Sequence, residues 1–184
     1  MNVARDGIVA TFAEWTAMSA LRSGAPIKSR HDVYTAIHGI NPKFEVLFDE
    51  ARGPINRATF DTWHADAVQS LIRREPRLKR QVGWASKIIN IYLKTRVYVG
   101  AQGRPHLSEV IHPPIDAGLW VGLKRRFPNR PDIIERTNCV ERIKNIVDYE
   151  CYSRIIDGCR DAAKALDCDL IEVDQLWAGT EFAD

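Results

Sequence analysis

The stretch QVGWASKIINIYLK, residues 81–94, combines an early glycine with isoleucine, tyrosine and leucine at helical spacing. This pattern predicts an apolar helix over residues 82–95. Lys87 is the unusual residue of the helix, because most of its neighbours are apolar. A lysine can lay its aliphatic stem on apolar surface and keep only the ammonium in water. A partly desolvated lysine can also act as a nucleophile, because burial favours the neutral amine.

A second segment, IHPPIDAGLWVGLKRRF at residues 111–127, places an aspartate after two prolines. The prolines stiffen the turn, and Asp116 is positioned to begin a helix that runs to Phe127 and ends before Pro128. One interpretation is a helix cap, in which Asp116 accepts hydrogen bonds from free backbone N–H groups. The other is a fixed carboxylate beside a developing positive charge.

The rest of the chain also reads as helices. Phe60, Trp63, Ala67 and Leu71 share one face of a predicted helix over residues 59–75, which Pro76 ends. No strand-like alternation is sustained and no internal repeat is visible, so we expect a mainly α, compact multi-helix single domain over residues 1–184. The other predicted elements are helices at 8–22, 31–38 and 139–166 (with a break near Tyr149), short segments at 41–52 and 170–177, and a loop at 97–108.

Composition excludes several classes of protein. The chain has 184 residues, of which 45% are hydrophobic and 27% are charged, as in globular domains. No apolar run approaches the roughly 18 residues of a membrane span, and the N-terminus lacks a signal-peptide pattern, so we expect a cytoplasmic protein without a membrane partner. We also expect a monomer, although no sequence feature determines the oligomeric state. The four cysteines form no CxxC pair and no histidine follows His112. We therefore expect neither a metal site nor a cofactor.

Two basic clusters flank the 81–127 region. The net charge is only +2, but these clusters would attract a phosphate backbone. An equally simple interpretation is that they are solvated helix ends, where basic residues are favoured. The candidate DNA-backbone contacts are Arg73, Arg74, Arg77, Lys79 and Arg80 before the region, and Lys124, Arg125 and Arg126 at its end.

The order of these features resembles the helix-hairpin-helix superfamily of DNA glycosylases, and most closely its oxoguanine-type branch. Val82-Gly83-Trp84-Ala85-Ser86-Lys87 matches the hairpin glycine and the lysine nucleophile, and Pro114-Ile115-Asp116 matches the turn that supplies the aspartate. The resemblance covers residues 82–127, about a quarter of the chain. It implies a helix-hairpin-helix-like core and an active-site segment in this range.

The resemblance implies that the protein flips a modified or damaged base out of DNA and cleaves its N-glycosidic bond. Lys87 would attack C1′ or orient the attacking group, and Asp116 would stabilise the oxocarbenium-like cation or activate water. A strand-nicking lyase step follows if a Schiff base forms. The small size of the chain suggests an anti-phage enzyme that acts on modified cytosine. Candidate base contacts near the pair in sequence are Trp84, Asn90, Tyr92 and His112, of which Trp84 and Tyr92 have packing in the core as the stronger alternative.

Three further interpretations stay open. A small nuclease or toxin would use His112, Asp116 and Lys87 on a phosphodiester. A non-catalytic nucleic-acid-binding or protein-binding helical module would need only the basic clusters. The segment LIEVDQLW at residues 170–177 is read as a helix that packs Ile171 and Trp177, with lining of the pocket as its lesser alternative.

Overall fold

The computed structural model describes residues 3–21 and 24–179, which form helices and contain no β-strand. A mainly α fold is therefore confirmed. The α-helices are α1 (Val3–Ser19), α2 (Arg30–His38), α3 (Glu45–Phe48), α4 (Arg57–Arg74), α5 (Val82–Leu93), α6 (Leu107–Val110), α7 (Ala117–Arg126), α8 (Pro131–Thr137) and α9 (Tyr149–Leu166). Short 3-10 turns lie at Glu50–Arg52, Pro76–Leu78, Ile143–Asn145 and Leu170–Leu176, and a π-helical turn at Lys94–Val99 continues α5.

Several predictions about the helices differ from the structure. Helix α1 begins at Val3, five residues before its predicted start, and ends at Ser19. Residues 139–148 are not helical apart from the turn Ile143–Asn145, because the Asp148 carboxylate accepts the Cys151 N–H and starts α9 at Tyr149. Helix α8 was not predicted, although its Pro131 is at a typical first position of a helix. The predicted loop at 97–108 contains the end of the π-helical turn and the start of α6. The predicted first helix ends at Arg22, which lies outside the described residues.

Helix α5 lies at the centre of the molecule. It packs against α1, α4 and α9, and all of its residues except Ile91 are buried. At its start, the Gly83 N–H donates to the Ile146 carbonyl oxygen at 3.0 Å. A Cβ at Gly83 would lie 2.3 Å from the Ile143 carbonyl oxygen, so glycine is required for this close approach of backbone to helix.

The connection between α4 and α5 is short. The Glu75 side chain caps the 3-10 turn Pro76–Leu78, and α5 begins four residues after that turn ends. The buried apolar side chains of the described helices form one continuous hydrophobic core. No helix within residues 3–21 and 24–179 is long and apolar enough to cross a membrane.

Candidate active site

Lys87 and Asp116 meet at the centre of the fold. The Lys87 Nζ donates to Asp116 Oδ2 at 2.9 Å, although the two residues are 29 positions apart. The Lys87 side chain is 8% exposed and the Asp116 side chain 21%. The lysine stem is thus surrounded by core, while the charged ends of both side chains keep a path to solvent.

Three donors hold the Asp116 carboxylate. Besides Lys87, the Leu119 N–H donates to Oδ1 at 3.2 Å, which makes Asp116 the N-cap of α7. The Trp177 indole Nε1–H donates to the same oxygen at 2.9 Å. Because the donors come from α5, α7 and the C-terminal segment, the carboxylate has one well-determined position.

Two glycines on one face of α7 allow Trp177 to reach Asp116. A Cβ at Gly118 would lie 2.4 Å from Trp177 Nε1, and a Cβ at Gly122 would lie 1.7 Å from the Leu176 carbonyl oxygen. The Gly118 carbonyl also accepts the Ala178 N–H at 3.2 Å. The spacing GxxxG within GLWVGL therefore has a packing function, since it lets the C-terminal segment lie directly on α7.

The Lys87–Asp116 pair opens into a cavity of about 360 Å³. Its volume is within the range of small-molecule sites. Aromatic and aliphatic side chains from α1, α5 and the C-terminal segment form most of its wall. The lining residues are Phe12, Thr16, Ala20, Lys87, Ile91, Lys94, Thr95, Val99, Pro114, Asp116, Asp174 and Trp177.

A second lysine–aspartate pair lines the same cavity. Lys94 lies seven residues after Lys87, and its Nζ donates to Asp174 Oδ2. Desolvation by burial raises the pKa of Asp174, and the Lys94 ammonium opposes part of that shift. Asp116 also raises the pKa of Asp174 by charge repulsion, so the two pairs are electrostatically linked.

Beside the cavity lies a chain of hydrogen bonds, here called the buried polar chain, formed by Tyr149, His64, Asn90, Tyr152, His112 and Asp61. The Asn90 amide fixes the direction of these hydrogen bonds, because its nitrogen can only donate and its oxygen can only accept.

Asn90 is the central link of the chain. Its amide Nδ2 donates to the Pro113 carbonyl oxygen at 3.0 Å and to Tyr152 Oη at 2.9 Å. Its Oδ1 therefore accepts from His64 Nε2–H at 2.8 Å, and His64 Nδ1 accepts from the Tyr149 hydroxyl at 2.8 Å.

The chain ends on a carboxylate. The Tyr152 hydroxyl donates to His112 Nδ1 at 3.0 Å, and His112 Nε2–H donates to Asp61 Oδ1 at 2.9 Å. Arg160 Nη2 donates to both Asp61 oxygens at 2.7 and 2.8 Å. Every link thus has one donor and one acceptor when both histidines are neutral.

The pKa shifts agree with this assignment. Desolvation lowers the pKa of His64 and of His112, and for His112 the hydrogen bond to Asp61 compensates only in part. Burial also raises the pKa of Tyr152. Partial burial of Asp61 would raise its pKa, but the bond from His112 and the charge of Arg160 make the net shift a lowering. The buried polar chain therefore favours neutral rings and an ionised terminal carboxylate.

The predicted base contacts occupy different places. Asn90 and His112 belong to the buried polar chain and do not line the cavity. The Lys87 Nζ lies 5.6 Å from the centroid of the Trp84 ring, which is buried outside the cavity wall. Tyr92 packs on Phe44 on another side of α5 and accepts a hydrogen bond from Arg96. Asn90 nevertheless bonds to the turn that carries Asp116, through the Pro113 carbonyl.

The basic clusters lie at the ends of two helices. Arg73 and Arg74 are in the last turn of α4, and Lys124, Arg125 and Arg126 are in the last turn of α7. All members are exposed. Arg77 pairs with Glu75 and Asp32 at 2.7 and 2.6 Å.

Sequence reasoning did not select Lys94, and it placed Asp174 and Trp177 only among the lesser alternatives. The spacing of Lys87, Ile91 and Lys94 was the available signal, since these positions share one helix face. Phe12 had no such signal, because α1 reaches the cavity only through tertiary packing. No group of three or more His, Cys, Asp or Glu in the described part of the chain is arranged to hold a metal ion.

Comparisons with protein-family models, with curated proteins and with solved structures find no match to this chain. The function has to be argued from the site itself.

Proposed function

We propose that this protein is a DNA glycosylase that cleaves the N-glycosidic bond of a modified or damaged base and leaves an abasic site. The observation that supports the proposal is the 2.9 Å contact between Lys87 Nζ and Asp116 Oδ2 at the wall of a largely apolar cavity. From the resemblance and the small size of the chain, we infer phage defence as the setting.

The Asp116 carboxylate suits the charge that develops in this reaction. When the N-glycosidic bond breaks, the base leaves with the bonding electron pair and the sugar C1′ becomes positive. A carboxylate already held by three donors stabilises this charge without reorganising, which is the most effective form of electrostatic catalysis.

Lys87 suits the second half of the reaction. One proton passes from its Nζ through Asp116 Oδ2 to the departing base, and the neutral amine then bonds to C1′. A proton of the attached amine passes to the ring oxygen as the C1′–O4′ bond breaks, which leaves a protonated imine. Water hydrolyses the imine to the abasic sugar and regenerates the Lys87 ammonium. If Asp116 instead activates water, no covalent intermediate forms.

The cavity and the basic clusters supply binding. A flipped base needs an apolar pocket with aromatic surface, and Phe12 and Trp177 provide it. The exposed basic residues at the ends of α4 and α7 provide sequence-independent attraction for phosphates.

The test is base release from duplexes that carry normal, damaged or phage-type modified bases. We expect Asp116→Asn to reduce single-turnover base release about 10²- to 10³-fold, the range for removal of one preorganised charge-stabilising group. We expect Lys87→Gln to abolish trapping of a protein–DNA adduct by borohydride. Matched controls are Asp132→Asn and Lys164→Gln, which change exposed charges outside the cavity.

Other outcomes would identify a different function. Strand cleavage that persists in Lys87→Gln, without prior base release, would indicate a nuclease. Salt-sensitive DNA binding that neither variant changes, with no base release from any duplex, would indicate a non-catalytic binding module.

A further inference from the structure

The Lys94–Asp174 pair is the polar feature of the cavity that the proposed chemistry does not use. The hydroxyl groups on the wall are satisfied locally: Thr16 and Thr95 lie 2.9 Å apart and also bond to the carbonyl oxygens of Ala13 and Ile91. The Lys94–Asp174 pair, by contrast, has unused hydrogen-bonding capacity.

That capacity consists of one acceptor and additional donors. Asp174 Oδ2 accepts from Lys94, and Asp174 Oδ1 has no hydrogen-bond partner among residues 3–21 and 24–179. The Lys94 ammonium has three N–H donors and uses one of them on Asp174. The Asp174 side chain is 14% exposed and, like Lys94, lines the cavity.

The position of this pair suits the far edge of a nucleobase. Lys94 is seven residues beyond Lys87, which is about 10 Å along a helix. A base whose sugar carbon faces the Lys87–Asp116 pair therefore extends toward the Lys94–Asp174 pair. Trp177 and Phe12 add aromatic surface to the wall of the same cavity.

We propose that Lys94 and Asp174 read the edge of the extruded base and select bases that present a ring N–H beside a carbonyl oxygen. This inference rests on the proposed function. The ring N–H donates to Asp174 Oδ1, and the neighbouring carbonyl accepts from Lys94. Uracil-type, hypoxanthine-type and guanine-type bases have this edge.

Adenine and cytosine present the reverse pattern. Each has an unprotonated ring nitrogen beside an amino group, so the nitrogen lone pair would face the Asp174 carboxylate and the amino group would face the Lys94 ammonium. The first contact sets two acceptors against each other, and the second sets two donors against each other. A site discriminates most strongly against a substrate that leaves its polar groups unpaired. With the base in this proposed placement, the pair disfavours modified cytosines, in contrast to the sequence-based expectation, and favours modified uracils.

The experiment uses pairs of bases of equal size. Hypoxanthine is compared with adenine, and 5-hydroxymethyluracil with 5-hydroxymethylcytosine, each in the same duplex. Base release is measured in single turnover, and binding is measured with the corresponding uncleavable 2′-fluoro nucleotides. We expect wild-type protein to bind the ring-N–H member of each pair roughly ten to a hundred times more tightly, as for a two-bond base contact.

Asp174→Asn is the decisive variant, because an amide supplies a donor as well as an acceptor at nearly unchanged size. We expect the preference within each pair to fall at least about tenfold, a change that differences in leaving-group ability do not produce. Asp167→Asn is the matched control, since Asp167 is exposed, has a left-handed backbone that asparagine tolerates and does not line the cavity.

The outcomes separate the two proposals. Base release with equal preference, or with a preference that Asp174→Asn leaves intact, overturns the inference and leaves the glycosylase standing. Selective binding without base release from any duplex supports the inference and overturns the proposed glycosylase activity. If the protein shows no selective binding and no selective release, the inference is overturned.

Discussion

Helix α5 contributes to two polar regions that complete their hydrogen bonds in different ways. Asn90 enters the buried polar chain, where each donor meets an acceptor within the protein. Lys87 and Lys94 enter the cavity, where two ion pairs face open volume. The hydrogen bonds of the first region stabilise the fold. The partly buried ion pairs of the second region leave charged groups accessible to a ligand and lower the free energy of unfolding relative to a well-packed apolar site.

The two regions are nevertheless joined. Asn90 follows Lys87 by three residues on α5, and it holds the Pro113 carbonyl, three residues before Asp116. The buried polar chain thereby links α5 to the turn that carries Asp116. Comparing the free energy of unfolding with the rate of base release tests this division of roles.

The largest loss of stability is expected for Asn90→Leu. Leucine has a similar shape but leaves His64 Nε2–H and the Pro113 carbonyl without partners, at about 1–3 kcal/mol each, so we expect a loss of about 4 kcal/mol in the free energy of unfolding. Urea denaturation measures it. The control Gln69→Leu changes an exposed amide on α4 and is expected to stay within about 0.5 kcal/mol of wild type. Equal stability of the two variants would contradict the role given to the buried polar chain.

A smaller effect is expected from pH. Burial lowers the pKa values of His64 and His112 in the folded protein, so below the unfolded value of about 6.5 the unfolded chain binds more protons. The free energy of unfolding therefore falls as pH decreases from 6.5, by at most about 1.4 kcal/mol per pH unit for each histidine.

Urea denaturation between pH 7.5 and 5 measures this dependence. The variant His64→Gln loses one of the two groups, and its slope is expected to be shallower than that of wild type even if its stability at pH 7.5 is lower. An unchanged slope in the variant would show that His64 is not neutral in the folded protein.

The smallest effect on stability is expected for the double variant Lys87→Met/Asp116→Asn. Asparagine keeps the cap of α7, and removing both members of a poorly hydrated ion pair is often neutral or stabilising. For the double variant we expect a free energy of unfolding within about 1 kcal/mol of wild type and no base release. For Asp116→Asn alone we expect a lower free energy of unfolding than for the double variant. A double variant that is much less stable than wild type would mean that the pair is structural.

Much of the helical framework was predictable from local pattern. Helix α4 followed from the face formed by Phe60, Trp63 and Leu71, and its end followed from Pro76. The cap of α7 followed from Asp116 after two prolines. Residues 139–148 were wrongly predicted as helix, because their apolar residues pack on the start of α5 near Gly83 instead of forming a helical stripe.

The candidate site was predictable only in part. Lys87 stood out because it interrupts an apolar helix, and the structure places it 2.9 Å from Asp116, while the chemical role of both residues stays a prediction. Asn90 and His112 were selected for proximity in sequence, but their partners His64, Tyr152 and Asp61 lie on α4 and α9. Such contacts depend on how the helices pack, which no local pattern contains.

The sequence by itself determined the helical class, the approximate ends of α2, α4, α5 and α7, and two residues with unusual surroundings. The reason is that proline, capping side chains and apolar periodicity act within a few residues of the chain. Only the tertiary structure decided that Lys94, Asp174, Trp177 and Phe12 share a cavity with Lys87 and Asp116. The physical reason is that a cavity and a buried hydrogen-bond chain are properties of packed surfaces. They form only where segments far apart in sequence approach closely, as Gly118 and Gly122 allow for the C-terminal segment.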